Sequence, residues 1–121
     1  VPEIYDELFL SRIRLTIVAE LLQAEWVAFT DLLGLTGATR GNLGSHLGKL
    51  IEAKIIDEEK RFVRQRPVTR YRLTKFGRDA FLRHIEQIEQ LFKAARSEYG
   101  EAQQAPADVS ATLPSPVRTE V

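Results

Sequence analysis

Thr39-Arg-Gly-Asn-Leu-Gly-Ser-His-Leu-Gly-Lys-Leu-Ile-Glu-Ala-Lys54 decides how the rest of this chain reads. Leu43, Leu47, Leu50 and Ile51 fall at i, i+4, i+7 and i+8, which at about 100° per residue gathers them on one side of a helix. Thr39 is placed to cap that helix at its start. The opposite side carries Gly41, Ser45, Gly48 and Lys49, while Asn42 and His46 border one edge of the apolar stripe and Arg40 the other. Gly41, Gly44 and Gly48 each cost a helix about 1 kcal/mol relative to alanine, so their presence needs a reason. All three point away from the apolar stripe. A surface without side chains can lie close against another backbone, either a phosphate strand or a neighbouring helix.

Asn, Ser, His, Arg and Lys are the side chains that hydrogen-bond base edges and phosphates. Thr39, Arg40, Asn42, Ser45, His46 and Lys49 crowd one short helix, which is therefore expected to enter a groove of double-stranded DNA.

Working outward, the charge distribution supports a polyanionic partner although the average does not. The chain of 121 residues has 17 basic and 17 acidic side chains. Between Lys60 and His84, however, nine basic residues face a single acid, Asp79. Such clustering is an electrostatic footprint that a net charge of zero conceals. The length suits one domain with extensions. Cysteine is absent, which excludes disulfides and thiolate metal sites. No apolar run approaches the length of a membrane helix and the N-terminus lacks the pattern of a signal peptide, so a cytoplasmic location is expected.

Upstream, residues 1–10 mix Ile4, Tyr5, Leu8 and Phe9 with Glu3, Asp6 and Glu7, an amphipathic pattern too apolar for a free tail. It is expected to pack either on the C-terminal helix or on a second subunit. Ser11 caps a helix to about Ala24, with Ile13, Ile17, Val18, Leu21 and Leu22 inward and Arg12, Arg14 and Glu20 outward. Trp26 to Phe29 is β-prone, with Trp26 read as a core plug rather than a stacking residue, and Thr30 is expected to cap a short helix over Asp31 to Leu35, closed by Gly34, Thr36 and Gly37. Two short helices around a glycine-bearing turn form a helix-turn-helix pattern.

Downstream, the period changes. Ile55 to Val63 reads as a strand, Arg64 to Pro67 as a turn and Val68 to Leu73 as a second strand, giving a β-hairpin with a basic tip. Arg64 and Arg66, with Arg70 behind them, are candidates to enter a minor groove or grip phosphates. The plainer alternative is a solvated hairpin. Thr74 caps a helix to about Tyr99, in which Phe81, Ile85, Ile88 and Phe92 alternate at spacings of four and three, the seam of a helix packed on its symmetry mate. At 1.5 Å per residue such a helix spans roughly 38 Å, too long for this domain to cover, so a two-fold homodimer is expected. From Gly100 the composition is that of a disordered tail.

No catalytic constellation emerges. His46 and His84 lie on different helices without paired carboxylates at ligand spacing, and no glycine loop joins a strand to a helix as a phosphate cradle would require. Neither an enzyme, a metal nor a cofactor is expected.

In order, these elements resemble the winged helix-turn-helix transcriptional regulators of bacteria and archaea. The likeness runs from about Ser11 to Ile88 and is closest to small stand-alone members related to the MarR and ArsR groups. It is carried by Arg14-Leu15, Gly41-Asn-Leu-Gly-Ser-His-Leu47, Lys60-Arg-Phe-Val63 with Arg66-Pro67, and Tyr71-Arg-Leu-Thr74 before Gly77. The resemblance implies a mainly α fold with a small β-hairpin wing, a winged helix-turn-helix over residues 11–74 preceded by a packing segment, and a long C-terminal dimerisation helix over 75–99. It also implies a dimeric repressor that places Arg40 to Lys49 in the major groove of each half-site and the Arg64 to Arg66 tip over the flanking backbone or minor groove. Two departures stand out: Lys54 occupies a place where such proteins often carry glycine, and the cysteines of ArsR-like metal sensors are missing. Any small-molecule effector is unknown. The rival reading is a winged-helix protein-interaction module without direct DNA readout.

Overall fold

The computed structural model describes residues 7–103, with side chains through residue 98. Its elements are α1 (Arg12–Gln23), β1 (Val27–Ala28), α2 (Phe29–Thr36), α3 (Arg40–Glu52), β2 (Ile56–Val63), β3 (Arg66–Leu73) and α4 (Lys75–Gln103). The three strands form one antiparallel sheet in the order β1-β3-β2. The described residues through Ile85 form one compact unit and those from Glu86 a second. The readings made for residues 1–6 and 104–121 lie outside the described residues.

The three helices of the helix-turn-helix follow from periodicity and capping. Ser11 Oγ accepts the Arg14 N–H at 3.2 Å to start α1, which buries Ile17, Val18 and Leu21. Helix α2 begins earlier than expected, at Phe29, and Ala28 rather than Thr30 precedes it without any side-chain cap. The reason is the neighbouring strand: Val27 and Ala28 are held extended by pairing with Tyr71 and Arg70, and the chain turns helical as soon as that pairing stops. Gly37, at φ +70°, ends α2 in the left-handed region and donates its N–H to the Leu33 carbonyl at 3.1 Å.

Helix α3 opens on Thr39, whose Oγ1 accepts the Asn42 N–H at 3.1 Å. Leu43, Leu47 and Leu50 are buried against the core, each contributing about 1.5–3 kcal/mol. The helix ends through a left-handed Lys54, φ +66°, so the conformation usual for glycine persists here with a lysine in it. Next to it α4 approaches the backbone of Ile55 closely. Thr74 Oγ1 donates to the Lys54 and Ile55 carbonyls at 2.8 and 3.1 Å and accepts the Gly77 N–H at 2.8 Å. A Cβ at Gly77 would overlap the Ile55 carbonyl, so only glycine lets α4 start where it does.

Two expectations about the ends of the fold are corrected. Phe81, expected in the seam between two copies, is buried in the chain's own core, edge-on to the fully buried Phe9 with ring centroids 5.2 Å apart, and His84 stands 5.2 Å from Phe9. Phe9 thus packs on the beginning of α4, the first of the two docking places expected for the segment it ends. Ile85 is half-buried against the same core. Helix α4 continues to Gln103, past both Tyr99 and the composition change at Gly100.

Candidate nucleic-acid interface

The outward side of α3 is open. A Cβ added at Gly41, Gly44 or Gly48 would meet nothing within 4 Å, so within the described chain the bare surface is not packed against another helix. Arg40, Asn42, Ser45 and Lys49 are exposed around it. Arg40 lies over the Phe29 ring with its guanidinium carbon 5.5 Å from the centroid. It lines a cleft with Ala28, Phe29 and Thr30 on one side and Pro67, Val68 and Thr69 on the other, which brings the starts of α2 and α3 to the side of the wing.

His46 stands apart from this exposed set. It is half-buried, and its Nδ1 lies 2.9 Å from Nη1 of Arg14 on α1. Arg14 also donates from Nε to the Leu8 carbonyl, so it is anchored at both ends rather than pointing outward as expected. Partial burial, then the positive charges of Arg14 and Lys49, hold the His46 pKa below its ordinary value. The signal for Arg14 was available in its phase: positions 14, 18 and 21 share a side of α1, and Val18 and Leu21 are buried.

The wing divides along its length. At the tip, Arg64 and Gln65 form a two-residue connection with φ of +53° and +67°, the left-handed pair that a type I′ turn requires. Arg64 and Arg66 make no ion pair with any described carboxylate. Phe62, beside the tip, is 74% exposed. At the base, the register sets Asp57 opposite Arg72, Glu58 opposite Tyr71 and Glu59 opposite Arg70. Arg72 Nε reaches Asp57 at 3.5 Å, Arg70 Nε donates to Glu59, and Arg61 lies 3.6 Å from the same carboxylate. Trp26 is no core plug: the guanidinium carbons of Arg70 and Arg72 lie 4.1 and 4.7 Å from its ring centroid. Burial, then the hydrogen bond from its hydroxyl to Glu58 at 2.9 Å, pushes the Tyr71 phenol well above its usual range. Asp57, Glu58 and Glu59 are therefore each matched across the strand.

Of the expected site residues, the structure groups Thr39, Arg40, Asn42, Ser45, His46 and Lys49 on α3 and sets Arg64 and Arg66 at the wing tip, while Arg70 is occupied at the wing base. Ile88 is half-buried and Phe92 exposed on α4. Among the described residues no group of His, Asp and Glu could hold a metal ion, and no helix is long and apolar enough to cross a membrane.

A family model described as a winged helix DNA-binding domain matches residues 13–92. An uncharacterized protein of Methanocaldococcus jannaschii is 36% identical over 87 residues, covering 72% of this chain and 95% of that one. Among solved structures, a transcriptional regulator homologue protein from Pyrococcus horikoshii OT3 superposes with a TM-score of 0.63 at 26% identity, over 74% of this chain and 93% of its own. NadR in complex with 4-hydroxyphenylacetate superposes with a TM-score of 0.59 at 21% identity, over 90% of this chain and 77% of its own, a likeness of fold.

Proposed function

This chain belongs to the family of winged helix DNA-binding domains, and from that premise we propose that it is a cytoplasmic, homodimeric transcriptional regulator, a repressor, that binds double-stranded DNA sequence-specifically. The family is one of binding rather than catalytic domains. The observation that carries the reading is the pairing of the α3 surface with the wing tip: a bare helix face edged by Arg40 and Lys49, and a tip whose Arg64 and Arg66 have no carboxylate to neutralise them among the described residues. A side-chain-free helix can approach a groove closely, and unpaired guanidinium groups on a protruding turn suit phosphates or a narrow minor groove.

In this reading Arg40, Asn42, Ser45, His46 and Lys49 enter the major groove, with Thr39 at the phosphate backbone where the helix starts. Arg64 and Arg66 hold the flanking DNA, and Arg70, tied to Glu59 and Trp26, braces the wing that carries them. The second copy docks on the part of α4 that carries Ile88, Leu91 and Phe92, of which the last two are 66% and 60% exposed. Two copies would then meet half-sites about 34–36 Å apart, one helical turn of DNA. No effector is assigned.

Fluorescence anisotropy on duplexes selected by the full chain from a random-sequence pool tests the proposal. If a dimer neutralises about eight phosphates, log affinity falls with log salt at a slope near −7. An acidic polypeptide should not compete. A slope near zero removes the electrostatic part of the reading. Absence of duplex binding at low salt favours a protein-interaction module, for which the exposed Phe62 would be the anchor.

A further inference from the structure

Arg14 and His46 lie 32 positions apart in sequence and come within hydrogen-bond distance at the edge of α3. A guanidinium carries only donors, so the bond from Arg14 Nη1 must be accepted by a lone pair on Nδ1 of His46. A neutral imidazole that accepts at Nδ1 carries its proton on Nε2. The remaining Nε2–H finds no acceptor among the described residues, although the ring is partly exposed. It borders the open glycine face, on the same helix edge as Asn42, one turn further along.

We infer that Arg14, a residue of α1 outside the recognition helix, is a positioning residue that fixes His46 as its Nε2–H tautomer, so that the ring offers DNA a single hydrogen-bond donor. The inference rests on the DNA-binding reading and deepens it. A fixed donor selects an acceptor, either a purine N7, guanine O6 or thymine O4 on a base edge, or a phosphodiester oxygen. It rejects the cytosine and adenine amino groups, which an imidazole free to exchange tautomers could also accept from. Partial burial, and then the charges of Arg14 on α1 and Lys49 on α3 that face the ring, disfavour a second proton on it. Arg14 is itself held by the Leu8 carbonyl, which ties the orientation of the ring to the segment before α1.

The experiment has a spectroscopic and a binding arm, both on the full chain. Long-range ¹H–¹⁵N correlation of the imidazole nitrogens at neutral pH should find the His46 proton on Nε2. Arg14→Lys, which keeps a donor and its charge, retains that tautomer. Arg14→Ala releases Nδ1, giving a mixture of tautomers and a higher His46 pKa. On the selected duplex, His46→Ala lowers affinity about tenfold, the size of one well-formed hydrogen bond, Arg14→Ala lowers it by a smaller factor set by the share of the Nε2–H tautomer that remains, and the double variant loses no more than His46→Ala alone. Substituting 7-deazapurines or methylphosphonates one position at a time then separates the two acceptors: the position that matters to the wild type and not to His46→Ala is the one read. Should Arg14→Ala unfold, the wild-type tautomer together with the Arg14→Lys result still decides. An Nδ1–H or charged His46 in the wild type, or losses that add in the double variant, overturns this inference alone. Failure of the wild type to bind any duplex overturns it together with the DNA-binding reading.

Discussion

The two ends of one hairpin use arginine in opposite ways. At the base of the wing Arg70 and Arg72 are matched to Glu59 and Asp57 across the strand and stacked on Trp26. At the tip Arg64 and Arg66 have no such partner among the described residues. A count of basic residues along this stretch treats all four alike, whereas strand register separates them into two that brace the sheet and two that remain available to an outside anion. Even the backbone follows the division. The tip holds two non-glycine residues at positive φ, a conformation that costs about 1 kcal/mol or more for each, and so keeps a charged side chain where glycine would be easier.

The largest effect should come from the tip. Arg64→Ala combined with Arg66→Ala is expected to weaken duplex binding about a hundredfold near 0.1 M salt and to make the salt slope shallower by about 2 per protomer, while the denaturation midpoint stays put. Anisotropy titrations across a salt series and urea unfolding check both halves. Equal losses of affinity and stability would erase the distinction between tip and base.

Trp26→Ala reverses the pattern at the base. It removes the plate on which two guanidinium groups rest, each contact contributing about 0.5–1 kcal/mol, together with part of a half-buried indole. Urea unfolding should show a loss of about 1–2 kcal/mol, with the salt slope of DNA binding unchanged. A changed slope would mean that the base arginines also reach phosphates.

How much of this was legible in sequence depends on whether a pattern had one physical explanation or two. The stripe Leu43, Leu47, Leu50 and the cap at Thr39 had one, and they place α3 and its outward residues correctly. The seam starting at Phe81 had two, since spacings of four and three serve a domain's own core as well as a helix pair. Phe9, at 0% exposure and edge-on to Phe81, shows that the core takes its first member. The pairing of Asp57 to Glu59 with Arg70 to Arg72 was hidden because it depends on the turn being two residues long. Arg64-Gln65 carries none of the Asn-Gly signal that normally reveals such a turn. Contacts between helices, such as Arg14 with His46, follow from packing angles that spacing within one helix does not encode.

The smallest expected effect tests the middle of the base, where Tyr71 faces Glu58. The phenol is buried and donates to the Glu58 carboxylate, and both burial and that bond disfavour the phenolate. In the unfolded chain a tyrosine ionises near pH 10. Its folded pKa is raised above that value, so the unfolded state releases its proton first as the pH rises. The stabilisation is therefore fully present below about pH 10 and is lost as the pH climbs from there toward the folded pKa. Tyr71→Phe removes the titrating group and the hydrogen bond together. At pH 7 it should cost no more than about 1 kcal/mol, because Glu58 is exposed and water replaces its lost donor. Above about pH 10 the wild type should lose stability more steeply than the variant, and the two should converge. Parallel loss in both proteins through that range would place the alkaline transition elsewhere, in the lysines or the other tyrosines. The bond from Tyr71 to Glu58 would then belong, with the unpaired tip, to the part of the wing that contributes little to the fold.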